Sequence, residues 1–207
     1  LKLINSFRLK VLLSLSGKEG DADLNLAATF SSIVGEGKLM EGIADNGQLV
    51  FVDAVGNRYT EFNDSGYGSA RYMDSTFVQR LIDRQDPRLF IYCDQTPNGK
   101  KDGLPVDDFT SYEGGNPIAP YSEVNDKAFR GDCSKVDLRY TTDPVTEPHM
   151  LMGYPELQFI LAEAVVREWI GGDATLYYEQ GVKASFQFYA ENAADYAQYV
   201  EAQDAEQ

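Results

Sequence analysis

Histidine is nearly absent from the 207 residues; His149 stands alone. A histidine triad or a two-histidine metal site would rest on that one ring, which follows Pro148 and reads as structural. Cysteine occurs twice, at Cys93 and Cys133, without the close pairing of zinc motifs. An exported protein can join two such cysteines across a long loop. Cys93, however, closes the apolar run Leu89-Phe90-Ile91-Tyr92 and reads as a buried thiol. Positive charge is scarce as well: 18 Lys and Arg face 33 Asp and Glu, a formal net charge of −15. Nucleic acid and anionic membrane surfaces repel such a chain, which argues against both as partners. No apolar run approaches the roughly 20 residues of a membrane span. No signal peptide or lipid-anchor cysteine is seen, and the chain opens in mid-helix at Leu1-Lys2-Leu3-Ile4, the expectation for a piece of a longer protein. No nucleotide loop, zinc motif or nucleophile elbow is present, and Gly66-Tyr67-Gly68 is too short to cradle a phosphate.

What is present is aromatic and periodic. Tyrosine (13) and phenylalanine (11) dominate the aromatic residues. From Tyr154 onward, Leu157, Ile160, Leu161, Ala164, Val165 and Trp169 recur at three- and four-residue spacing, which places them on one helical face. Pro155 suits a first helical turn, where its missing N–H costs nothing. Gly171 and Gly172 offer the left-handed conformation that ends a helix, and Asp173 then caps the next one. Tyr177, Gly181, Ala184 and Phe188 form one stripe of that second helix; Tyr178, Val182, Ser185 and Tyr189 form another. Gly181 and Ala184 are small enough for a neighbouring helix to approach. The pattern predicts an antiparallel helix pair, the unit of helical repeats, with Trp169 buried in its core.

Earlier in the chain, Ile4 to Leu15 reads as a helix with Ile4, Phe7, Val11 and Leu15 on one side and Arg8 and Lys10 outside. Asp21 to Val34 reads as a second, with Leu24, Ala27, Ala28 and Ser31 as its stripe. Asp21-Ala-Asp23-Leu-Asn25 begins like a calcium loop, but Leu26 stands where glycine should follow, so it reads as an acidic helix start. Residues about 40–150 are loop-rich. Within them Leu49-Val-Phe-Val and Arg58-Tyr-Thr-Glu-Phe flank Val55-Gly56-Asn57 as a short β-hairpin, and Tyr72 to Asp83 reads as helical. Pro87 drives Asp86 out of helical geometry, so that helix should end before it, with Arg84 or Arg88 paired to a scaffold carboxylate. The tail 191–207 is acidic and reads as a fraying helix.

Three blocks in chain order carry a resemblance. They are Leu3-Ile4-Asn5-Ser6-Phe7-Arg8-Leu9-Lys10, then Asp83-Arg84-Gln85-Asp86-Pro87-Arg88-Leu89, then the helix pair itself. In the pair the matching residues are Tyr154, Glu156, Phe159 to Ala164, Trp169-Ile170, Gly172-Asp173-Ala174, Tyr177-Tyr178-Glu179 and Ala184-Ser185. Together they resemble the SusD/RagB family, the surface glycan-binding lipoproteins of Gram-negative nutrient-uptake systems. Two positions depart: Glu168, where a glycine is usual before the tryptophan, and Pro155, where alanine is usual. The resemblance implies a single domain over 1–207, or a piece of one: mostly α, of tetratricopeptide-like antiparallel helix pairs in an α-α superhelix, with long irregular loops. It implies a cell-surface lipoprotein of the outer membrane that is not an enzyme and needs no cofactor or metal. Such a protein captures an oligosaccharide or other nutrient for a SusC-like TonB-dependent transporter. It touches the membrane only through a lipid anchor outside this sequence. The rival reading is a helical-repeat scaffold that binds protein and no sugar.

Sugar recognition needs flat aromatic faces for the C–H side of a pyranose and amides or carboxylates for its hydroxyls, usually on loops. Tyr59, Asn63, Asp64, Tyr67 and Tyr72 offer these in a first region, and Tyr112, Glu113, Asn116 and Tyr121 in a second. Gly114-Gly115 would let backbone approach a ligand, and Pro117 and Pro120 would stiffen the loop. The plain alternative is that these tyrosines pack loops onto the scaffold. Carboxylates are plentiful, but a glycosidase pair requires a set separation and a raised pKa, so no catalytic residue is assigned.

Overall fold

A computed structural model describes residues 1–21, 23–64 and 72–192. In chain order the helices are α1 (Lys2–Ser14), α2 (Leu26–Gly35), α3 (Ser75–Asp83), α4 (Leu89–Tyr92), α5 (Pro97–Lys101), α6 (Tyr121–Phe129), α7 (Arg139–Thr142), α8 (Tyr154–Val166) and α9 (Ala174–Asn192). Two short strands, β1 (Gly47–Leu49) and β2 (His149–Met152), and 3-10 turns at Ser16–Lys18, Ile43–Asp45 and Phe109–Ser111 complete the described secondary structure. The chain is mostly α, as the periodicity predicts. It divides into two units. One comprises Leu1–Val50 with Pro148–Phe188; the other comprises Phe51–Glu147 together with Tyr189 and the residues after it in α9.

The first unit is built around the helix pair α8 and α9. Leu157, Ile160, Leu161 and Ala164 of α8 are buried with Leu9, Phe30, Ile33 and Trp169 in one core. Pro155 lies in the first turn of α8. The close approach predicted at Gly181 is present: a Cβ there would lie 2.8 Å from the Phe159 ring. Asp173 caps α9, its Oδ1 accepting the N–H of Thr175 at 2.9 Å and of Leu176 at 3.3 Å.

The end of α8 differs from expectation. Gly171-Gly172 does not terminate it. Glu168 does, at φ 60°, four residues before Gly172. The Glu168 N–H donates to the Val165 carbonyl at 3.0 Å and the Trp169 N–H to that of Ala164 at 2.9 Å. This is a Schellman motif with glutamate in the left-handed position that glycine usually fills. Trp169 is therefore off the helical face. It is buried, with its ring edge-on to Phe30 of α2 at 5.5 Å. Gly172 keeps a positive φ of 137° in the junction before Asp173.

Three further expectations are corrected in this unit. The α1 stripe is inverted: Asn5, Ser6 and Leu9 are buried, while Ile4, Phe7, Val11 and Leu15 are exposed. Polar links hold the inward face, because the Ser6 hydroxyl accepts the Met40 N–H at 3.1 Å and the Asn5 amide donates to Glu36 at 3.3 Å. Helix α2 starts at Leu26, later than the acidic stretch, and buries Leu26, Phe30 and Ile33 instead of the predicted small-residue stripe. The strand partner also differs. β1 pairs antiparallel with β2 (Gly47↔Met152, Gln48↔Met150, Leu49↔His149), and residues 58–62 form no strand but a bend and a turn. Their amides go elsewhere: the Tyr59 N–H donates to the Pro144 carbonyl at 2.7 Å.

The second unit has its own core of Val78, Leu89, Phe90, Cys93 and Tyr112. α3 starts three residues later than predicted, capped by Asp74, whose carboxylate accepts the Phe77 N–H at 2.8 Å. It ends before Asp86, as Pro87 requires. The closing geometry repeats that of α8: Gln85 sits at φ 51°, with Gln85 N–H to Ile82 O at 3.0 Å and Asp86 N–H to Leu81 O at 2.8 Å. The guanidinium of Arg88 grips Asp86 within the same block, through Nε at 2.9 Å and Nη2 at 2.5 Å. Cys93 and Cys133 are both buried free thiols.

Candidate functional site

Three extended segments of the second unit are stitched side by side. The Met73 N–H donates to the Ser134 carbonyl at 3.0 Å, the Ser75 N–H to that of Gly115 at 2.9 Å, and the Gly115 N–H to that of Met73 at 2.8 Å. The bridges Tyr72↔Lys135 and Asp74↔Gly115 belong to the same arrangement. Gly114 and Gly115 make it possible, though not as expected. A Cβ on Gly114 would fall 2.5 Å from Ser75 Cα, and one on Gly115 would fall 2.8 Å from Val124 Cγ1. The two glycines admit the chain's own backbone and side chains, not a ligand.

Above this floor lies a cavity of about 360 Å³ lined by Tyr72, Asp74, Asn116, Pro117, Tyr121 and Val124, among others. Of the sequence candidates it gathers Tyr72, Asn116 and Tyr121. Tyr121 opens α6 and is 74% exposed, so its ring is available. Tyr72 is half-buried, with the Lys135 ammonium 5.6 Å from its ring centroid, a cation–π contact that orients it. Asn116 accepts the Ile118 N–H on Oδ1 at 3.1 Å, which fixes its carboxamide. A second cavity of about 520 Å³ is lined by Ser75, Gly114, Asn116, Glu123, Val124, Asp126, Lys127 and Arg130.

The other candidates lie elsewhere. Tyr112 is 3% exposed: it packs on Phe90 at 5.5 Å, and its hydroxyl donates to the Val106 carbonyl at 2.8 Å. It belongs to the core and has no free stacking face, because the short helical turn at Phe109–Ser111 points it inward. Glu113 is exposed but paired with the Lys127 ammonium, which also donates to the Gly114 carbonyl at 2.9 Å. Tyr59 packs against Phe51 at 5.3 Å and Tyr140 at 6.1 Å. Asn63 takes a left-handed turn, its N–H bound to the Thr141 carbonyl at 2.9 Å. Neither Tyr59, Asn63 nor Asp64 lines the two cavities. Tyr67 lies outside the described residues. His149 sits in β2.

Sequence reasoning missed Val124 and the polar face of α6. The available signal was Pro120 before Tyr121 with Glu123 in the first turn, a helix start hidden in a loop-like composition. Among the described residues, no group of three or more His, Cys, Asp and Glu is placed to hold a metal ion. No described helix is long and apolar enough to cross a membrane.

Comparison with known proteins bears on what this arrangement serves. No curated protein matches the chain. Among solved structures, it is similar to an outer-membrane protein of Bacteroides vulgatus ATCC 8482 whose description attaches it to nutrient binding. The two share 55% identity over 96% of this chain and 44% of that one, with a TM-score of 0.92. A SusD homologue from Bacteroides fragilis NCTC 9343 is also 55% identical, over 96% and 43% of the two chains, with a TM-score of 0.88. A second SusD homologue from that strain is 32% identical over 97% and 45%, with a TM-score of 0.84. The chain thus spans less than half the length of each. A SusD-like family model, described as starch-binding and associating with outer membrane, matches residues 1–206. With that match over nearly every residue, and two relatives sharing more than half of their aligned residues, the chain belongs to the SusD-like family.

Proposed function

We propose that the protein is a non-enzymatic, surface-exposed lipoprotein of the outer membrane that captures an oligosaccharide or other nutrient and delivers it to a SusC-like TonB-dependent transporter. The observation that carries the reading is the cavity beneath Tyr121, in a chain whose family is described as starch-binding. The exposed Tyr121 ring presents a flat face to the C–H side of a pyranose. Asn116, its orientation already fixed, offers its amide N–H groups to a hydroxyl. Tyr72 lines the same cavity. Pro117 and Pro120 restrain the loop and lower the ordering cost of binding.

The test is a glycan panel screened with the 207-residue chain and with Tyr121→Ala. The expected result is binding to at least one neutral oligosaccharide and a loss of about tenfold or more in the variant, in keeping with roughly 1–3 kcal/mol for an aromatic anchor. Undiminished binding by Tyr121→Ala would move the site away from this cavity.

A further inference from the structure

We infer that the site is a two-lobed cleft along α6 that takes at least two linked saccharide units and selects neutral units over acidic ones. This rests on the glycan-binding reading above. The two cavities share Asn116 and Val124 in their walls and so lie side by side along α6. The α-helical period explains the division. Tyr121 and Val124 are three residues apart and line one face of α6, whereas Glu123, Asp126, Lys127 and Arg130 wind along the adjoining face. One lobe is therefore mostly aromatic and apolar, its carboxylate Asp74 being committed to the cap of α3, and the other is polar.

The polar lobe has an unbalanced charge. Its two cations are already matched: Lys127 by Glu113, and Arg130 by Asp132 at 3.4 Å. The Glu123 and Asp126 carboxylates have no cationic partner among the described residues. A sugar hydroxyl entering there meets acceptors. A uronate or a sulfate meets two like charges in a chain that already carries a net charge of −15. Asn116 stands at the junction of the lobes. Its Oδ1 is committed to the Ile118 N–H, and its Nδ2 has no hydrogen-bond partner among the described residues. The geometry points to Nδ2 as the donor to an oxygen at or beside the glycosidic linkage, with one ring over Tyr121 and the next between Glu123 and Asp126.

Calorimetric titration of the full chain with glucose, maltose, maltotriose, N-acetylglucosamine, chitobiose and 6-O-sulfated maltose tests this. The expected result is a disaccharide at least tenfold tighter than its monosaccharide, with little further gain from the trisaccharide. Sulfated maltose should bind at least tenfold more weakly than maltose, and Glu123→Gln with Asp126→Asn should restore most of that loss. Asn116→Ala should weaken the disaccharide more than the monosaccharide and so remove most of the disaccharide's advantage. A monosaccharide that binds as tightly as its disaccharide, or a sulfated ligand that binds as tightly as the neutral one, overturns the two-lobed cleft and leaves the glycan-binding reading standing. If none of these sugars and nothing on the wider panel binds, that reading fails and the cleft falls with it.

Discussion

The indole N–H of Trp169 donates to Glu19 Oε1 at 2.6 Å, joining positions 150 residues apart. Arg167 lies beside both, its guanidinium 5.8 Å from the indole centroid and 3.9 Å from the Glu19 carboxylate. Trp169 is 4% exposed, but the Glu19 side chain is 46% exposed, so water can partly replace this acceptor. Glu19→Ala should cost about 1 kcal/mol, the net contribution of one hydrogen bond. Urea unfolding followed by the fluorescence of the single tryptophan reads the change directly. An unshifted midpoint would show that the bond contributes nothing.

Glu168 holds a left-handed conformation at the end of α8, with its own side chain exposed. Glu168→Gly removes the clash between Cβ and backbone while keeping both closing hydrogen bonds. A gain of about 1 kcal/mol is expected, since the steric relief exceeds the added freedom of the unfolded chain. A variant that melts at or below the parent temperature would contradict this.

Tyr112 and Tyr121 sit nine residues apart in one loop-like stretch and should respond oppositely. Tyr112→Ala opens a cavity in the core of Val78, Leu89 and Phe90 and should cost about 3–5 kcal/mol. Tyr112→Phe keeps the ring and loses the bond to the Val106 carbonyl, about 1 kcal/mol. Tyr121→Ala should change stability by less than about 0.5 kcal/mol, because its ring packs on little. Equal losses at the two positions would remove Tyr121 from the candidate site on stability grounds alone.

Burial pushes the Cys93 thiol well above its ordinary value, with Asp137 and Asp94 adding in the same direction. Burial also raises Cys133 and the phenols of Tyr92, Tyr140 and Tyr189. Each group is neutral when protonated and has a higher pKa folded than unfolded. The unfolded chain therefore loses protons first, from about pH 8.5 for the thiols and about pH 10 for the phenols. The stability these groups contribute is full below that range and falls as pH rises through it. Denaturation midpoints should decline from about pH 8.5 upward, more steeply beyond about pH 10. At pH 8 a thiol reagent should label both cysteines slowly in the folded chain and at once in denaturant. Rapid labelling of the folded chain would refute the burial argument.

The helix pair was legible because its signals are local. Periodic apolar residues, Pro155 at a first turn, Asp173 as a cap and Gly181 opposite a ring each act within one or two turns of backbone. The true end of α8 was not, because a glutamate stands in the left-handed position and two nearby glycines offered a more ordinary stop. The contrast between Tyr112 and Tyr121 was also hidden: both flank the same Gly-Pro-rich loop, and only packing against Phe90 separates them. The strand pairing of residues 47–49 with 149–152 lies beyond any neighbouring turn signal. Of the candidate site, the sequence supplied residue types; their gathering depends on bridges among three segments far apart in the chain.

Asn5 and Ser6 secure α1 to its unit by direct polar bonds beside the buried Leu9, while Ile4, Phe7, Val11 and Leu15 face out. One side of the helix thus combines polar anchors with a core leucine, and the other carries exposed apolar side chains. The inner side determines how the helix is seated, so Asn5 and Ser6 tolerate little change. The outer side can change without unseating the helix within this unit, and its apolar residues are available as a contact surface. Sequence variation along Ile4, Phe7, Val11 and Leu15 would then follow what the helix meets, not how the unit folds.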